Sequence, residues 1–126
     1  MAKYMLIMRG TDASNAAMMA DIDAVMVSTQ RFIGEMVRAG VLVSAEGLDD
    51  PGLGAVVDFS GAEPVVSSGP YGKTEDLFGG FFLLDVASQE EAVGWAKRVP
   101  AARGAKIEVR RVPGGEEVPQ QVSSAG

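Results

Sequence analysis

Two helical patterns, each flanked by short apolar stretches of strand character, constrain the fold of this chain more than any other feature. The longer helix sets Ile22, Val25, Met26, Thr29, Phe32, Ile33, Met36 and Val37 on one face at i, i+3, i+4, i+7 spacing. Asp21 and Asp23 near its start and Arg38 near its end suit the helix dipole, and Gly40 stands where a left-handed residue closes a helix. Its start stays open, because residues 16–20 also read as helical, whereas residues 10–15 read as a polar, turn-prone break. The shorter helix opens on the capping-box pattern Ser88-Gln89-Glu90-Glu91, presents Ala92, Trp95, Ala96 and Val99 on one face, and ends at Pro100.

The flanking stretches are strands by period and composition. Residues 3–9 are apolar on both alternating sets, Tyr4, Leu6 and Met8 against Met5 and Ile7, as expected of a central strand covered on two sides or of one strand of a sheet that pairs face to face with another. Residues 41–48, 78–86 and 105–110 read as three further strands. Between the first two of these lie a turn at 49–52 and two short strands, 54–59 and 64–68, around a second turn at 60–63. They form an expected hairpin, with Pro64 at a strand start or edge.

The order β-α-β, hairpin, β-α-β predicts an α+β fold, a ferredoxin-like split βαβ sandwich with an inserted β-hairpin. Both helices then cover one face of the sheet. The opposite apolar face needs a cover of its own, which a second copy supplies in a dimeric α/β-barrel arrangement, so a homodimer is expected. The domain spans residues 1–112, and the aperiodic PGGEEVPQQVSSAG of residues 113–126 reads as a flexible tail.

Composition removes whole classes of chemistry. The chain has no cysteine and no histidine, so disulfides, thiolate nucleophiles, Cys-ligated metals and the usual neutral-pH general base are all missing. Only carboxylates remain as metal ligands and no D-x-D spacing recurs, so no metal and no cofactor is expected. Seventeen acids against eleven bases give a formal charge of −6, which argues against a nucleic-acid or anionic-membrane surface. The apolar run near the start is too short for a signal segment, and the expected location is cytoplasmic.

The stretch SSGPYGKTEDLFGG, residues 67–80, carries the most chemistry. Gly69 and Pro70 make a rigid turn that either only leaves the hairpin or aims Ser68, Tyr71 and Lys73 into a cavity. Lys73 and Glu75, two apart in extended chain, share a side and either form a solvated loop or face one site. The run is not a phosphate-binding loop, since its glycine spacing fails and Pro70 lacks an N–H. Gly79-Gly80 marks a bulge or a close backbone approach. Glu46 is a candidate proton carrier if its strand turns it into the sheet-face cavity, and otherwise an exposed strand-end acid. Arg103 is a candidate anchor for an anionic ligand, or a charge near the end of the second helix.

Four segments, KYMLIM at 3–8, AGVLVSAEGL at 39–48, SSGPYGKTEDLFGGFFLLDV at 67–86 and RVPAARGAKIEVRRV at 98–112, together resemble the YCII-related, or DGPF-domain, family over residues 3–112. The resemblance implies a dimeric α+β barrel with a ferredoxin-like protomer, found mostly in bacteria. It implies little about activity: some relatives are suspected enzymes, and many DGPF-type members are associated with extracytoplasmic-function sigma factors. The namesake Asp-Gly-Pro-Phe is here Ser68-Gly69-Pro70-Tyr71, and the His of the His–Asp pair proposed for the YCII branch has no counterpart. The expected function is therefore a small-molecule-binding or regulatory domain without strong catalysis, with a sigma factor as the partner the resemblance suggests. The ligand-binding candidates are Ser68, Gly69, Tyr71, Lys73, Glu75 and Arg103. The alternative is a cofactor-free, lyase- or hydrolase-like enzyme whose carboxylate/Lys pair is drawn from Glu46, Lys73 and Glu75, in a dimer-barrel pocket.

Overall fold

The computed structural model describes residues 2–71 and 77–114. In chain order the elements are β1 (Ala2–Gly10), α1 (Asp12–Ala20), α2 (Ile22–Arg38), β2 (Leu42–Gly47), a 3-10 turn (Pro51–Leu53), β3 (Ala55–Asp58), β4 (Val65–Ser68), β5 (Leu77–Val86), α3 (Gln89–Ala96) and β6 (Lys106–Val112). The main sheet runs β2-β5-β1-β6 with every neighbour antiparallel, an order compatible with a ferredoxin-like fold. The β3–β4 pair is a separate antiparallel ribbon with Val57 opposite Val66.

Register decides which residues meet the helices. Tyr4 stands opposite Leu84 and Leu6 opposite Phe82, and all four are buried with Phe32 and Met36 of α2 and Ala92 of α3. Met5 opposite Leu83 and Ile7 opposite Phe81 therefore face away from the helices. Phe32 is the keystone of the helix side: its ring meets Phe82 edge-on at 5.4 Å and Trp95 at 6.2 Å, tying α2, the sheet and α3 together. Such edge contacts add about 0.5–1.5 kcal/mol beyond burial. Arg98 closes the outer side of this joint, pairing with Glu35 and lying 4.5 Å over the Trp95 ring.

The helices differ from expectation at their ends. Residues 12–15, read as part of a break, are helical. The cause is a reciprocal cap, in which the Ser14 N–H donates to Thr11 Oγ1 at 3.0 Å and the Thr11 N–H to Ser14 Oγ at 2.8 Å. The pattern that reads as one helix with an open start is two, broken at Asp21, whose φ of −129° and ψ of 39° leave the helical region. At α3 the Glu91 N–H donates to the Ser88 hydroxyl at 3.2 Å. The Glu91 carboxylate accepts from the Ala87 N–H at 3.4 Å and not from Ser88, so only half of the expected box forms. The helix ends at Ala96, well before Pro100. In the connection that follows, Ala105 N–H bonds Ala102 O at 3.0 Å, and Gly104 supplies the positive φ, 92°, at the third position of the turn.

In the ribbon, Asp58 accepts from the Ser60 hydroxyl and from the Ser60 N–H, the latter at 2.7 Å, and these bonds hold its carboxyl below the usual carboxylate range. No helix among the described residues is long and apolar enough to cross a membrane.

Gly80 of β5 is hemmed in by both neighbouring strands, opposite Met8 of β1 and Gly47 of β2. It sits at φ 150°, and an added Cβ would stand 2.5 Å from the Glu46 carbonyl oxygen and 2.8 Å from Met8 Cε. Gly80→Ala is expected to destabilise the domain by roughly 1–3 kcal/mol, because backbone of the neighbouring strand must move. Gly40→Ala, with nothing within 4 Å of its Cβ, carries only the strain of its φ of 71°. Urea unfolding of the two variants should rank Gly80→Ala as the more harmful.

Candidate functional site

A cavity of about 690 Å³, open to solvent, lies between the sheet and the helices. It exists because α2 is anchored at one end only. Phe32 and Met36 fill the space under its C-terminal half, whereas its N-terminal half presents Ala24, Val25, Ser28 and Thr29, too short to reach the strands. The strands facing them contribute Met8, Ala45, Phe82 and Ile107. One further wall is α1, through Ser14, Asn15, Ala17 and Met18, and another is the 99–105 connection. The surface is mainly apolar, with the hydroxyls of Ser28 and Thr29 and the Asn15 amide as polar handles.

The cavity lies on the helix side of the sheet, because the side chains that α2 turns toward it shrink from Phe and Met to Ala and Ser along one helix.

Among the candidate residues, Glu46 and Arg103 both belong to the cavity wall. Glu46 stands on β2 opposite Phe81, next to the helix-facing Ala45, and is exposed, so its carboxylate is not enclosed by the apolar space. Arg103 occupies the second position of the Ala102–Ala105 turn, and its guanidinium has no hydrogen bond or ion pair among the described residues. Arg9, also on the wall, is engaged: it bonds Glu108 at 2.9 Å and lies 5.7 Å from the Phe78 ring centre.

The loop candidates lie elsewhere. Ser68 is exposed at the end of β4 and is not on the cavity wall. Gly69, at φ 99°, donates its N–H to Gly54 O at 2.9 Å and closes the base of the ribbon. Tyr71, 84% exposed, borders a separate groove of about 380 Å³ with Arg9, Leu48, Asp49 and Phe78. Lys73 and Glu75 lie outside the described residues. The structure thus brings Glu46 and Arg103 to one cavity and does not bring Ser68, Gly69 or Tyr71 to it.

The sequence reading missed Asn15, Met18, Ser28 and Thr29. The available signal was the run of small residues, Ala17, Ala24 and Ser28, where a core-facing helix should carry bulk. Among the described residues no group of three or more acids is placed to hold a metal ion.

No curated protein matches the chain. The model of the YCII-related domain matches residues 2–113, from β1 to the end of β6 and so the whole of the fold just described. The chain belongs to the YCII-related domain family.

Proposed function

We propose that this domain binds a small amphipathic molecule in the helix-side cavity, as a binding or regulatory protein without strong catalysis. The observation that carries this reading is the cavity itself: about 690 Å³, largely apolar, and bordered by an arginine with no partner among the described residues. An apolar body fits against Met8, Val25, Phe82 and Ile107, and an anionic group fits Arg103, whose charge the turn holds at the wall. The enzyme alternative draws its carboxylate/Lys pair from Glu46, Lys73 and Glu75; Glu46 borders the cavity, and the described part of the wall holds no lysine. A sigma factor as partner rests on the family resemblance alone.

The homodimer is part of the same proposal. Met5, Phe81 and Leu83, on the face turned from the helices, are only partly covered within one chain. On that face Asp85 stands opposite Lys3, and its Oδ1 is buried with no hydrogen-bond partner. A second copy on this face would cover the apolar strip and bring donors to Asp85.

Anilinonaphthalene sulfonate, an apolar dye with an anionic group, is the probe for the cavity. It should bind the wild type with a fluorescence rise, and Val25→Trp, which fills the space, should weaken binding by about tenfold or more, some 1.4 kcal/mol. Arg103→Ala should weaken it severalfold, while Ser68→Ala should leave it unchanged. If the loop holds the ligand instead, the last two results exchange places. For the dimer, sedimentation equilibrium should give twice the chain mass, and Leu83→Glu should give the monomer with its circular dichroism intact.

A further inference from the structure

We propose that α1 is a lid over part of this cavity that swings outward to widen its mouth for the ligand, an inference that rests on the binding reading above. Ser14, Asn15, Ala17 and Met18, which form one stripe of the helix, lie over the cavity instead of over packed side chains. Ser14 is the one buried residue of α1, and its hydroxyl is spent on the cap. Ala13, Ala16, Ala17, Met19 and Ala20 are exposed, Met19 by 63%. By contrast, α2 buries Phe32 and Met36 in the core.

The polar contacts of α1 are local. Thr11 and Ser14 bond each other, Asn15 N–H bonds Thr11 O at 2.9 Å, and Asp21 N–H bonds Met18 O at 3.2 Å. Among the described residues no hydrogen bond or ion pair joins α1 to the strands, to α3 or to the 99–105 connection. These bonds travel with the helix when it moves, so opening breaks none of them. A nine-residue helix is also too short to be stable by itself, so its order depends on packing that is thin here.

Both ends are built as joints. Asp21 breaks the helical path into α2 and makes no side-chain cap bond. At the other end, Gly10 lets the capping turn come down on β1: a Cβ there would stand 2.7 Å from Ser14 Oγ and 3.1 Å from Asn15 Oδ1. Rotation about these two points lifts α1 off the cavity while the Phe32 joint stays closed, a motion of the microsecond-to-millisecond class.

Hydrogen exchange of the full chain, read by mass spectrometry, tests the motion without any ligand. Amides of residues 15–20 should exchange at least ~10-fold faster than those of residues 32–36, as local opening requires. Equal protection in the two segments overturns the lid. With saturating anilinonaphthalene sulfonate, protection should rise in α1 and stay level at 32–36. Stopped-flow mixing supplies the kinetic arm. Gly10→Ala, which props the cap outward, and Thr11→Val, which removes half of it, should each speed dye entry severalfold with residues 32–36 still protected. Unchanged entry rates in both variants overturn the proposal. A wild type that takes up no dye sinks the binding reading instead, and the exchange pattern then decides by itself whether α1 opens.

Discussion

The edge-on packing of Phe32 against Phe82 and Trp95 is the contact on which the rest of the helix layer depends. It is one point of attachment for three elements, and it lies toward the C-terminal end of α2. Beneath it the sheet supplies its fully buried residues, Leu6, Leu84 and Val86, and Met36 packs alongside. Away from it α2 turns only short side chains toward Met8, Phe82 and Ile107, and the cavity begins. Core and cavity are thus two ends of one helix whose side chains change from large to small.

Much of the frame was legible in the sequence. Period-2 patterns in residues 3–9 and 78–86 located the central strands, because each has one face in the core and apolar residues on the other as well. The family was legible from the order and spacing of four segments, and the match over residues 2–113 confirms it. What escaped was the extent of α1: residues 16–20 read as helical, but residues 12–15 did not, and the break before α2 was missed. Its residues, DASNAAMMA, have no bulky stripe, since the face they turn inward lies over a void. Apolar periodicity reports packing, and a helix that packs on little gives little signal. Its start was encoded in Thr11 and Ser14, but Ser in place of Glu at the third helical position hides the box from the usual pattern.

The candidate site was legible only in part, for a related reason. Glu46 and Arg103 were picked for charge at an element's end, and both prove to border the cavity. Ser68 and Tyr71 were picked because their loop is rich in Gly and Pro. That chemistry is accounted for locally: Gly69 takes a positive φ and bonds Gly54, closing the ribbon. A turn motif speaks of backbone geometry first, and its side chains reach a site only if the fold delivers them there.

The ribbon raises the remaining physical question. Val57, Val65 and Val66 on the two-stranded sheet, and Phe59 just after its first strand, expose between 49% and 74% of their surface, and among the described residues this sheet pairs with no strand of the main one. Such a ribbon is marginal in water without packing. Among the described residues it is held at its base by the Gly69–Gly54 bond and near its tip by the Asp58–Ser60 turn, both of them local. The domain therefore keeps its rigid contacts in the Phe32 cluster and places two lightly held pieces, α1 and the ribbon, at its margins. Only α1 borders the cavity. Motion of the ribbon alone would leave the cavity's walls unchanged, whereas motion of α1 removes one of them.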